Sequence, residues 1–136
     1  MSYYNEVVFA NMTVVESGST DFSVRVVKRW DFVLIGAAIE TPGLIGGLYK
    51  LGWVLIPQLR GPQLWALGKL YHTENKAIRE GQVVTVRVDV ARKQIVYLVD
   101  GVPAGPPHTM IISDAEIQKL RPAVQTSSEG DILEIV

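Results

Sequence analysis

The chain has 136 residues and a mass of 15.0 kDa, with 48% hydrophobic and 20% charged residues. That suits a single domain, residues 1–136, able to bury roughly two-thirds of its unfolded surface, and it excludes a disordered tail. With 13 Lys+Arg against 14 Asp+Glu the net charge is -1, which lacks the basic excess of a general nucleic-acid binder, and the absence of cysteine excludes disulfide frameworks, thiol nucleophiles and Cys-ligated zinc.

Val and Ile supply 30 of the 136 residues. Such β-branched side chains are stiff at χ1 and favour strands. In chain order, residues 6–16 and 21–29 read as two strands joined by the small, polar segment Glu16-Ser17-Gly18-Ser19-Thr20. Residues 32–40 form a third, apolar on both sides and therefore central, stopped by Thr41-Pro42-Gly43. Residues 52–56 and 64–67 are short strands. The clearest pattern lies at 81–101. Val84, Val86, Val88 and Val90 alternate with Val83, Thr85, Arg87 and Asp89, then Ile95, Tyr97 and Val99 alternate with Val96, Leu98 and Asp100. A period of two across a polar break, closed by Asp100-Gly101, predicts a β-hairpin with one buried face. Its second strand is apolar on both faces, so its outer face is expected to be covered. A helical turn is predicted within 113–120, with Ser113 as cap and Glu116 three residues on. Strands at 120–125 and 131–135 complete the chain. Strands at this spacing without intervening helices indicate an antiparallel sandwich.

No segment spans a membrane: the longest apolar run, 32–39, has eight residues against about 20 required. The opening Met1-Ser2-Tyr3-Tyr4-Asn5-Glu6 lacks the basic and apolar regions of a signal peptide. A cytoplasmic or nuclear location is the expectation.

Several words of the sequence, in order, resemble the SPRY domain of the B30.2 family. Ile35-Gly36-Ala37-Ala38-Ile39-Glu40-Thr41-Pro42 is similar to the family's "VGVAT…P", and Gly52-Trp53-Val54-Leu55 to its "GW.L". Gly68-Lys69-Leu70-Tyr71-His72 resembles "GKLYH", residues 81–103 resemble "GDVV…LD…G.L.FY.NG.P", and Leu120-Arg121-Pro122-Ala123-Val124 resembles "LYPAV". The likeness covers about residues 30–136. Arg121 replaces a usual Tyr, and Thr126-Ser127-Ser128-Glu129 stands where some members carry a Trp. The resemblance implies an all-β fold, a bent sandwich of two antiparallel sheets of the concanavalin or jelly-roll type. It also implies an adaptor-like module that binds a peptide or folded protein through loops at one rim. Catalysis is not a trait of that family.

The residues agree that this is not an enzyme and that no cofactor or metal is required. His72 and His108 lie 36 positions apart without ligand spacing, no Ser sits in a G-x-S-x-G elbow, and Asp131 and Glu134 differ in strand parity. His72 is assigned to a turn and His108 to the surface. The glycines at 43, 46 and 47 lack the Lys-Ser/Thr ending of a phosphate loop; they, Gly52 and Gly61-Pro62 read as places where the chain turns. Trp53 and Trp65 are expected in the core, while Trp30 is either a surface anchor or folded over the sheet end. The basic pairs Lys28-Arg29 and Arg92-Lys93, and the Lys119 to Arg121 cluster, read as solvated turns.

Alternate turns of successive antiparallel strands fall at opposite ends. If the first three strands run in simple succession, the turn at 16–20 and the loop at 41–51 share one end, with 29–31 at the other. The family's binding rim resembles the first pair joined by the loop after "PAV". This selects Ser17, Gly18, Tyr49, Ser127, Ser128 and Glu129 as partner-binding residues, with Arg60 as a further member and Tyr49 as the aromatic anchor. The partner is expected to be a protein or peptide, with neither nucleic acid nor membrane, and the chain is expected to be a monomer. The rivals are a structural subunit of a larger complex and a carbohydrate-binding lectin-like domain, the latter poorly served by asparagines only at 5, 11 and 75.

Overall fold

The computed structural model describes residues 6–10, 18–28, 33–39, 52–57, 60–126 and 132–136. The strands are β1 (Glu6–Phe9), β2 (Ser19–Lys28), β3 (Val33–Ile39), β4 (Gly52–Ile56), β5 (Gln63–Ala66) and β6 (Lys69–Thr73). They continue with β7 (Val83–Asp89), β8 (Gln94–Val99), β9 (Val102–Pro103), β10 (His108–Thr109), β11 (Leu120–Thr126) and β12 (Ile132–Ile135). A helical turn, α1 (Asp114–Ile117), precedes β11. Two antiparallel sheets result. The first runs β1-β11-β3-β4-β5-β6, and the second runs β10-β8-β7-β2-β12 with β9 also on β8.

Strand periodicity builds the core. On the second sheet Phe22, Val24, Val26, Val84, Val86, Val88, Ile95 and Tyr97 face inward. On the first, Val33, Ile35, Ala37, Trp53, Leu55 and Leu64 meet them. The alternating residues of β7 point outward into polar pairs. Thr85 shares a 2.8 Å hydrogen bond with Ser23, and Arg87 forms a two-pronged ion pair with Asp21. The first sheet is apolar on its outward side too, where Leu34, Ala38, Val54, Ile56 and Ala123 form a second buried cluster. This is why β3 and β4 read as continuous apolar runs: they are interior strands with both faces buried.

The hairpin stands as expected. Val84 pairs with Val99 and Val88 with Ile95, and Asp100 and Gly101 take φ of 49° and 80°. The cap on α1 also forms: Ser113 Oγ accepts from the Glu116 N–H at 3.1 Å. Elsewhere the structure departs from the sequence reading. The segment Gly68 to His72, with His72 assigned to a turn, instead enters the edge strand β6 at Lys69, and the two-residue strands β9 and β10 carry no periodicity long enough to detect. Gly52 is not a turn residue but a buried strand position in β4. Gly36 is required by close approach, since a Cβ there would lie 1.9 Å from the Trp53 carbonyl oxygen.

Val86→Ala or Val88→Ala should cost about 1–3 kcal/mol, because each removes methyls from a packed site that cannot fully collapse. Arg87→Ala and Thr85→Ala should stay within about 1 kcal/mol, the usual range for exposed ion pairs and single hydroxyl bonds. Urea unfolding of the four variants checks this; equal losses on both faces would contradict the register. Gly36→Ala should be more damaging than either valine change, and loss of soluble expression or a large fall in thermal midpoint is the expected readout.

Candidate functional site

The register defines two ends of the sandwich. At one, Gly18 accepts from the Val90 N–H, Leu120 pairs with Ile39, and Leu67 donates to the Gly52 carbonyl. Gly18, the β5–β6 turn, the β7–β8 turn and α1 therefore share this end. At the other, Val83 accepts from the Asp100 N–H, Ile132 pairs with Lys28, and Thr126 pairs with Val33. Arg60 and the β6–β7 connection lie here, beside the Asp100–Gly101 turn.

This arrangement divides the seven residues that the sequence selected. Gly18 is exposed with φ of 82° at the first end. Arg60 is exposed at the opposite end. Ser17, Tyr49, Ser127, Ser128 and Glu129 lie outside the described residues, as does Trp30. The strand ends that bracket Tyr49 (Ile39 and Gly52) are at the Gly18 end, whereas those that bracket 127–129 (Thr126 and Ile132) are at the Asp100 end. The first three strands are not in simple succession, since β1 and β3 lie in the first sheet and β2 in the second, and β11 runs antiparallel to β3 and so ends opposite to where β3 ends.

At the Gly18 end the sequence reading overlooked Leu67 and Leu70. Leu67 occupies a left-handed turn position, φ 49°, and is 47% exposed. Leu70 is also 47% exposed and pairs across the strands with Trp65. Trp65 is not a core residue like Trp53: it lies half-buried on the outward face of the first sheet, its Nε1–H donating to Gln63 Oε1 at 3.2 Å. Trp65 and Leu70 share one side of the β5–β6 hairpin, and Leu67 lies in the turn that joins its strands. A left-handed leucine is uncommon, and Gly or Asn would fill that position at less cost. Sequence periodicity cannot reveal this, because the signal is a backbone angle.

At the Asp100 end a cleft of about 270 Å³ opens between the β6–β7 connection and the β8–β9 turn. Its floor includes Val99 and Ala104, and Glu74, Lys76 and Asp100 stand around it. The Asp100 carboxylate accepts from the Val83 N–H at 2.9 Å and from Gln82 Nε2 at 3.1 Å, and these bonds hold its pKa below the usual carboxylate range.

Between β6 and β10 the sheets are closed by rings. Tyr71 stacks on His108 with centroids 4.2 Å apart, and His72 Nε2 is hydrogen-bonded to Glu74 Oε1. His72 therefore lies on a strand, not in a turn, and His108 is half-buried where the sequence placed it on the surface. The Tyr97 hydroxyl is pushed well up in pKa, first by burial and then by the neighbouring Tyr71. Lys93, read as a solvated turn residue, is engaged by the Ile112 carbonyl and Asp114, both at 2.9 Å. Among the described residues no group of three or more His, Cys, Asp or Glu is placed to hold a metal, and no helix is long and apolar enough to cross a membrane.

With this geometry in view, the fold is that of the SPRY domain. The SPRY domain of human HERC1 aligns with a TM-score of 0.69 at 19% identity, over 98% of this chain and 83% of that one. A human SPRY domain aligns at 0.73 and 16% identity, over 99% and 86%. The TRIM65 PSpry domain aligns at 0.68 and 14% identity, over 96% and 70%. No family model matches the chain, and no curated protein matches it. Likeness at these identities shows the fold.

Burial lowers the His108 pKa below its ordinary 6.5. The unfolded chain then binds more protons than the folded one as pH falls below about 6.5, so stability is present above that value and is lost toward the lower folded pKa. The thermal midpoint should fall more between pH 7 and pH 5 in the wild type than in His108→Phe, which keeps a ring over Tyr71. Parallel pH profiles would remove His108 as the cause.

Proposed function

We propose that the chain is a non-enzymatic, monomeric protein-interaction module of the cytoplasm or nucleus. Its Gly18 end takes up an apolar segment of a protein partner. The observation that carries this reading is Leu67, an exposed aliphatic side chain held at positive φ beside exposed Leu70 and half-buried Trp65. The exposed parts of Leu67 and Leu70 gain nothing from burial in the free chain. Against a partner they exclude water around Trp65, the aromatic member of the patch. Ser17, Gly18 and Tyr49 complete the same rim in this reading, since their bracketing strand ends lie at that end. The SPRY fold supports it, as the resemblance implies rim-loop binding.

The test is affinity capture with the wild-type chain, followed by quantitative binding of the recovered partner to Leu67→Asp and Leu70→Asp. Both changes should weaken binding about tenfold or more while the thermal midpoint stays near wild type. Aspartate tolerates the left-handed region better than leucine, so the first variant should fold. Weakened binding in Glu129→Lys alone, with both leucine variants neutral, would overturn the leucine patch as the site.

A second reading has its own observation. Ile135 and Val136, on the edge strand β12 and just beyond it, are 71% and 52% exposed, as a structural subunit of a larger complex would require. Sedimentation of the pure chain distinguishes them: a stable monomer favours the module.

A further inference from the structure

Among the described residues, two buried side-chain polar atoms have no hydrogen-bond partner within the protein: the hydroxyls of Tyr71 and Tyr97. Both belong to the edge of the sandwich where β6 meets β10. Tyr97 is 1% exposed and points inward from β8, as does Ile95 two positions before it. His108 of β10 pairs with Ile95, and Tyr71 of β6 stacks on His108. The segment between β9 and β10 completes the contact. The Ala104 N–H donates to the Tyr97 carbonyl at 2.8 Å. The next residue, Gly105, lies so close to the first sheet that a Cβ would stand 2.7 Å from His72 Cδ2 and from Leu64 Cδ1. Tyr71 and His72 therefore face the stretch of chain that holds Tyr97.

A bulge in β6 puts Tyr71 there. Leu64 pairs with His72 and Trp65 with Leu70, so Tyr71 is an extra residue with no cross-strand partner of its own. Strict alternation would set Leu70 and His72 on one side. The bulge instead leaves Leu70 beside Trp65, while Tyr71 packs onto the core between the sheets. There the two phenols are close enough to act on each other electrostatically. A buried hydroxyl left without a partner loses the bonds it had in water and regains none. A hydroxyl offers one proton and two lone pairs, and a buried water joins two to four such groups. We propose that the Tyr71 and Tyr97 hydroxyls share one internal water molecule, bound between β6 and β8 as part of the folded structure. The water gives each phenol the partner that the protein does not. It also gives position 97 a use for a hydroxyl, where phenylalanine would fill the same inward place.

The test is a high-resolution crystal structure of the full chain together with thermal unfolding of Tyr71→Phe, Tyr97→Phe and the double variant. Density for one water within about 3.2 Å of both hydroxyl oxygens is expected. Each single variant should lower the thermal midpoint by a few degrees, because it removes one bond to the water and leaves the other hydroxyl less well satisfied. The double variant should lose less than the sum of the two, since both act on one bridge. Tyr71→Phe keeps a ring on His108 and Tyr97→Phe keeps the core packing, so both variants should fold. A water on one hydroxyl only, a direct bond between the two hydroxyls, or no density at either would overturn the proposal. So would a single variant that raises the midpoint, as removal of an unpaired hydroxyl would, or losses that simply add. Partner binding at Leu67 and Leu70 is read separately and is unaffected by either result.

Discussion

The structure rests on the meeting of two alternating faces. Val84, Val86 and Val88 from β7 and Val24 and Val26 from β2 project across to Ile35, Ala37, Trp53 and Leu55 from β3 and β4. Each sheet alone would leave one apolar face in water; together they exclude it, at about 25 cal/mol per Å² of apolar surface removed. Because the side-chain period is two, a slip of one residue would send Thr85 and Arg87 inward and break their bonds to Ser23 and Asp21. The polar outer ladder and the valine inner ladder thus enforce the same register from opposite sides.

That register also decides which loops are neighbours. β11 lies antiparallel to β3 with Leu120 opposite Ile39 and Thr126 opposite Val33. The helical turn α1 and the β7–β8 turn are therefore brought to the Gly18 end, where Lys93 bridges them through the Ile112 carbonyl and Asp114. The Asp100 end is secured differently, by a carboxylate that substitutes for a missing backbone partner at Val83. Described turns held in this way leave little ordering entropy to be lost if they enter a contact.

The strands were readable wherever an alternation ran for several residues or where apolar character was continuous. β7, β8, β3 and β4 satisfy one or other condition, and their limits agree with the sequence to within a residue or two. β6 was unreadable for a physical reason. It is an edge strand whose Leu70 faces out and whose Tyr71 and His72 pack laterally against the β9–β10 segment, so its pattern follows neither a half-buried nor a fully buried strand. His108 shows the same limit: its burial comes from Tyr71, 37 positions away, and its flanking prolines pointed toward the surface. Gly36 was legible as part of a strand, but the reason for it, the Trp53 carbonyl, belongs to the neighbouring strand.

Site residues were harder to read than strands because they depend on which ends coincide, and that is a property of topology. Gly18 immediately precedes β2, so its end follows from the direction of that strand. The end at which β11 finishes depends on its direction, which no local pattern encodes. Leu67 is a still sharper case. In the sequence it continues an apolar run, Leu64-Trp65-Ala66-Leu67, and is indistinguishable from a core residue. In the fold the chain reverses at Leu67-Gly68, which removes that leucine from the alternation and turns it to solvent. Thus the backbone angle that ends the strand also creates the exposed aliphatic surface, so exposure in this fold is set at apolar residues that the turns displace from their strands.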